Sequence, residues 1–243
     1  MKKKKIITKN TKYNKSIIYT AFALTMFIIM PEIKAKEVKE VKIEIETSLV
    51  SSYVWRGLYQ TGVSLQPSIS TSISNLTLKA WGNTDFSTAF KEFDFSLFYA
   101  NKGLCFGLTD YWWSGQGAPY FEYKTHHLLE ASIGYHFGDK FPLSFSWNTM
   151  LAGNQDKNNE DKQLYSSYFT IGYDFLVKGV KCTSEVGINP WKSIYNAKFD
   201  VMNISLKASR KVPITDEFSL PLSAQMILCP ATSDAHLVFG ITF

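Results

Sequence analysis

AHLVFGITF, Ala235 to Phe243, closes the chain and decides how the rest of it is read. Leu237, Phe239, Ile241 and Phe243 take every second position, and His236, Val238, Gly240 and Thr242 fall between them. A period of two is a strand with one apolar face. Nothing follows Phe243 to cover that face. In a sandwich a second sheet would cover it; in a transmembrane barrel, lipid does.

The same alternation recurs upstream. It predicts strands over 41–53, 65–73, 76–82, 93–99, 104–108, 129–137, 143–149, 165–175, 180–188, 202–208 and 218–228, which with 235–243 makes twelve. Tyr, Phe, Trp, Ile, Val, Ser and Thr dominate these segments, and no long amphipathic helix pattern competes with them. Connections alternate in length. Ser74-Asn75, Asn101-Lys102-Gly103, Gly138-Asp139-Lys140 and Lys178-Gly179 are short turns. Between them fall VWRGLYQTG at 54–62, read as a loop, the aromatic stretch at 110–126, and the polar run at 153–163. Short turns at one end and longer loops at the other, on strands of about 9–11 residues, describe an up-and-down transmembrane β-barrel. An even strand count places both termini on the periplasmic side. Five Trp (Trp55, Trp81, Trp112, Trp113 and Trp191) fall at the long-loop ends, as an interfacial belt would, although Trp81 takes the inward phase. A closed sheet requires the first and last strands to pair.

The first 35 residues have the order of a secretory signal peptide: a basic head from Lys2 to Lys15, an apolar run of 15 residues from Ser16 to Met30, and Ala35 after a short polar stretch. The run is shorter than the roughly 20 residues a membrane helix needs. The mature chain is therefore expected to be 36–243. Cleavage removes eight Lys and one Glu, leaving 18 basic and 20 acidic residues, so a net charge of +5 becomes −2. That balance removes the electrostatic basis for nucleic-acid binding. Cys105, Cys182 and Cys229 are odd in number and sit in separate strands, so they read as small hydrophobes rather than a disulfide or metal set.

Tyr53, Arg56 and Gly57, then Gln66 and Pro67, then Trp81, Gly82 and Asn83 set out an early Y-x-x-R-G, a Q-P segment and an aromatic strand end. In that order they resemble the TorF-type porins of the Gcw_chp family, best over 41–86; Trp55 departs from the shorter or charged residue usual there. The resemblance implies an outer-membrane barrel of porin type with no substrate to carry over. The last strand, ending on Phe243, likewise resembles the signal read by the barrel assembly machinery of the bacterial outer membrane, which together with outer-membrane lipid is the partner expected.

Lys42, Glu44, Glu46, Lys79, Asp94, Glu130, Asp174, Lys181, Glu185 and Lys207 all take the inward phase. They either line a hydrated pore or pair across a plugged lumen. Mixed signs argue against strong ion selectivity. Arg56, beside Gly57, either clamps the acid group of a passing solute or ties a loop to a neighbouring acid. Asp110, Trp112 and Trp113 are placed at the mouth, where flat rings either stack on solutes or form the interfacial belt. No cofactor or metal is implied. His126 and His127 are adjacent and so face opposite ways. An outer-membrane lipid hydrolase would need a lipid-facing Ser–His pair with an orienting acid or Asn; His236 and many Ser are available, but no motif selects them. The expected role is passive diffusion of small polar solutes, the alternative a non-conducting scaffold or adhesin.

Overall fold

The strands run in chain order as β1 (Val41–Val50), β2 (Tyr53–Trp55), β3 (Leu58–Thr61), β4 (Ser64–Ile73), β5 (Leu76–Asp85), β6 (Lys91–Asn101) and β7 (Leu104–Ser114). Then come β8 (His127–His136), β9 (Leu143–Ala152), β10 (Ser167–Val177), β11 (Val180–Asn189), β12 (Asp200–Pro213), β13 (Ser219–Cys229) and β14 (Asp234–Thr242). The structure is a computed structural model describing residues 40–114 and 118–243; the signal segment expected over 1–35, with its cleavage site, lies outside the described residues. Among them, twelve strands form one closed antiparallel barrel in which β1 joins β14 on one side and β4 on the other. β2 and β3 form a separate two-stranded hairpin.

The turns explain the register. Lys102-Gly103 and Lys178-Gly179 have positive φ at both residues (50° and 86°, 49° and 79°), the type I′ geometry that matches strand twist in two-residue hairpins. Arg56-Gly57 has the same signature, at 53° and 83°. The segment 54–62 is therefore strand, I′ turn and strand, not the loop expected from its sequence. The stretch 110–126 also departs from expectation. β7 continues to Ser114 because β6 supplies ladder partners as far as Lys91, which leaves 115–126 as the connection. It ends in a short helix, α1 (Tyr123–His126).

Phase divides the wall cleanly. On β6, Phe93 and Phe95 are 36% and 47% exposed, while Glu92 and Asp94 between them are 3% and 8% exposed. The outer face carries Ile69, Leu78, Phe106, Ile133, Ile204, Met226, Leu237 and Phe239 among its exposed apolar side chains. The inner face is lined by small and polar residues: Ser96 bonds Thr109 across one strand pair, Ser72 bonds Thr77 across another, and Gly107 faces Ser132.

Inside the long-loop end, however, Leu128, Met150, Tyr168, Met202 and Cys229 project inward and pack with Tyr195 into a buried apolar cluster. Trp55, Leu58, Tyr111 and Trp113 pack against it. Trp55, Trp81 and Trp113 thus lie within the barrel instead of in an outer belt. Trp55 rides on the hairpin; Trp81 and Trp113 share the inward face with Asp94 and Glu92, their cross-strand partners. Trp191 is exposed and packs beside Trp147, 5.7 Å between ring centroids.

Closure is narrow. β1 pairs with β4 along its whole length, but its register with β14 covers only Ser48–Val50, extended by two bonds between Thr47 and Phe243 and by two between Ser51 and Phe239. The staggering of strands around a barrel leaves the start of β1 running past the end of β14.

Candidate functional site

The hairpin β2–β3 crosses the lumen. Tyr53 packs on Trp81 of β5 (5.5 Å between centroids) and its hydroxyl donates to Glu92 of β6. Trp55 makes edge contacts with Tyr111 and Trp113 of β7. Tyr59 stacks near His236 of β14. At the tip, Gly57 lies against the far wall: a Cβ built there would stand 1.8 Å from the Met202 carbonyl oxygen of β12 and 3.4 Å from the Cys229 sulfur of β13. Only glycine permits both the positive φ and this backbone approach.

Arg56 fastens the tip. Its Nη1 and Nη2 donate to Glu130 Oε2 and Oε1 of β8 at 2.7 and 2.9 Å, the bidentate fork that suits a guanidinium and a carboxylate. Nη1 also donates to the Tyr195 hydroxyl, and the Tyr111 hydroxyl donates to Glu130 Oε1 at 2.9 Å. The guanidinium carbon lies 4.6, 4.8 and 5.2 Å from the ring centroids of Trp55, Tyr168 and Tyr195. Side-chain exposures of 10% for Arg56 and 4% for Glu130 make this a desolvated pair. Burial works against the charge on Arg56, but Tyr195 and Glu130 more than offset it and the net shift is upward. Burial pushes the Tyr195 hydroxyl up in turn, with Arg56 pulling the other way.

All ten ionisable residues assigned to the inward phase share the inner face, but they are not alike in setting. Asp94, Glu130 and Glu185 lie toward the hairpin end with Glu92, which the sequence reading passed over. Glu185 accepts a bond from Asn203 at 2.6 Å; Asp94 has a buried Oδ1 with no hydrogen-bond partner. Lys79 and Lys207 are the diagonal cross-strand neighbours of Asp94 and Glu185, and Lys181, one step nearer the Lys178-Gly179 turn, lies 3.7 Å from Asp174. Lys42 pairs with Glu44 on the exposed stretch of β1 that also carries Glu46. Asp94, Glu130, Glu185 and Glu92 thus gather around the hairpin with Arg56, while away from it lysines and acids stand side by side, as in Lys181–Asp174 and Lys42–Glu44.

Asp110 and Trp112 are not at the mouth. They take the outward phase of β7, opposite Phe95 and Phe93, because the alternation runs through them unbroken. Asp110 accepts from His127 Nδ1 at 2.9 Å, and His127 Nε2 meets the Tyr120 carbonyl oxygen. Tyr123 stacks on His127 at 4.0 Å, so the connection folds back over this wall. Burial pushes the Tyr120 hydroxyl up to about 12, helped by Tyr123. Both ring nitrogens of His127 are thus engaged, Nδ1 by Asp110 and Nε2 by the Tyr120 carbonyl.

No family model matches the chain, and no curated protein matches it. Solved structures that match include an outer-membrane channel from Pseudomonas putida F1, at 12% identity and a TM-score of 0.44 over 88% of this chain and 98% of that one. A porin variant from Rh. blastica gives 10% and 0.38 over 83% and 73%. BamA from Haemophilus ducreyi lacking POTRA domains 1–3 gives 10% and 0.38 over 88% and 49%. The closed sheet and its clasp stand on the geometry already described.

Among the described residues, no group of three or more His, Cys, Asp or Glu side chains is arranged to hold a metal ion. What the site does chemically is hold one guanidinium, by a fork of carboxylate oxygens and a wall of rings, at the tip of the in-turned hairpin.

Proposed function

We propose that this chain is an outer-membrane barrel that admits small polar solutes by diffusion, through a lumen narrowed at one end by its own first connection. The observation that carries the reading is the in-turned hairpin β2–β3, clasped by Arg56 to Glu130 inside a barrel whose outer face is apolar and whose inner face is polar. An exposed apolar belt around a closed sheet is satisfied by lipid, since the sheet meets its own backbone needs. The Y-x-x-R-G and Q-P segments support placement with the TorF-type porins, and the terminal Phe243 strand supports delivery by the assembly machinery. Two-residue turns at the end where β1 begins and β14 ends support a periplasmic position for that end.

A second reading, a non-conducting barrel that serves as a scaffold or adhesin, is favoured by the burial of the clasp itself. Conductance of the refolded chain in planar bilayers separates the two. The channel reading expects small steps from the wild type and larger ones from Glu130→Leu, which frees the clasp. Silence from both proteins, each shown to be folded by heat-modifiable gel mobility, would establish the second.

A further inference from the structure

Arg56 occupies its place as a ligand occupies a receptor. Everything that holds it, apart from Trp55 on the hairpin, belongs to the surrounding wall and loops: the Glu130 carboxylate, oriented by the Tyr111 hydroxyl; the Tyr195 hydroxyl; and the rings of Tyr168 and Tyr195. These groups come from β7, β8, β10 and the connection at 190–199, so their arrangement is fixed by the barrel. The surroundings favour a cation beyond the one they hold. Glu92, Asp94 and Glu185 face the same end of the lumen with no lysine ion-paired to them among the described residues, and Asp94 keeps one buried oxygen without a hydrogen-bond partner there. Lys79 and Lys207, the diagonal neighbours of Asp94 and Glu185, form no ion pair with them among the described contacts.

We infer that the Glu130–Tyr111–Tyr168–Tyr195 constellation is a binding site for guanidinium-bearing solutes, and that Arg56 is its built-in occupant. This rests on the channel reading for its biological sense, since a solute must reach the site along the lumen. The chemistry selects the class. A carboxylate presented edge-on takes two parallel N–H donors, which a guanidinium supplies and an ammonium does not. Flat rings favour the same planar cation. A solute that takes the seat displaces the hairpin tip, so entry and opening are one event. Arg56, tethered by a short chain, competes at an effective concentration in the millimolar range.

Chemical rescue tests the inference without measuring conduction. In the refolded full chain carrying Arg56→Ala, ethylguanidinium chloride is expected to quench or shift tryptophan fluorescence saturably, because Trp55 and Trp113 border the vacated seat. Affinity should fall at least about tenfold in Arg56→Ala/Glu130→Gln, and also when tetramethylammonium replaces ethylguanidinium. Ethylurea, neutral and of similar shape, should give no saturable signal. In the wild type, half-saturation should lie at least about tenfold higher than in Arg56→Ala, because the seat is already taken. No saturable response in Arg56→Ala, or equal affinity with Glu130→Gln added, overturns the site. Binding without conductance would sink the channel reading while leaving the site intact; conductance without binding would do the reverse.

Discussion

Replacing Glu130 by Leu leaves the Arg56 guanidinium in a space with no counter-charge, and the consequence is read at a cysteine the protein already has. Cys229 is 1% exposed, and its sulfur lies beneath the hairpin tip, 3.4 Å from where a Gly57 Cβ would be. A water-soluble maleimide reaches it only when the hairpin lifts, so in a Cys105→Ala/Cys182→Ala background its labelling rate reports the fraction undocked. Removing one partner of a buried ion pair costs about 3–5 kcal/mol, and at 10% and 4% side-chain exposure this pair needs no discount for solvent. At 1.4 kcal/mol per decade, that raises labelling by roughly two to three and a half orders of magnitude. The companion Arg56→Met/Glu130→Leu removes both charges. Apolar replacements of a buried pair are commonly neutral or stabilising, so its labelling should return to within about tenfold of the parent rate. If Glu130→Leu labels no faster than the parent, the ion pair does not hold the hairpin. If the double variant labels as fast as the single, the ion pair itself is required for docking, and the aromatic packing of Trp55 and Tyr195 does not suffice.

The remaining expectations test other parts of the structure. Gly57→Ala puts a methyl group into the Met202 carbonyl at a residue with φ of 83°, so Cys229 should become as reactive as in Glu130→Leu while heat-modifiable mobility shows the barrel intact. Deleting Phe243 removes both of its bonds to Thr47 at a seam with few others; the urea midpoint of the folded gel band should fall, by at least about 2 kcal/mol of stability, and an unchanged midpoint would show that the seam does not limit folding. Asp156, fully buried, accepts from the Ser166 amide and hydroxyl and from Gln163. Asp156→Ala should cost about 1–3 kcal/mol locally and speed tryptic cleavage at Lys157 and Lys162 by about tenfold or more, with the barrel band unaffected.

Arg56-Gly57 shows why some of this was readable and some was not. Lys102-Gly103 and Lys178-Gly179 declare hairpin turns in sequence because alternating strands flank them on both sides. Arg56-Gly57 has the same turn chemistry, but only three residues of strand precede it and four follow, too few for a period to register. The signal was there in the dipeptide; the flanks were too short to confirm it. Asp110 and Trp112 failed differently. Their polarity and bulk suggested a loop, while the ladder with β6 carried the strand through them.

The sequence by itself determined how many strands the barrel has, which residues of most of them face inward, and where most of the chain turns, because a strand's two faces and a turn's positive φ are local properties. The tertiary structure alone decided that the first connection folds into the lumen, that Arg56 meets a carboxylate 74 residues away, and that Glu92, Asp94 and Glu185 gather around it. Such facts follow from barrel curvature and strand stagger, which bring distant residues to one depth and which no short window of sequence encodes.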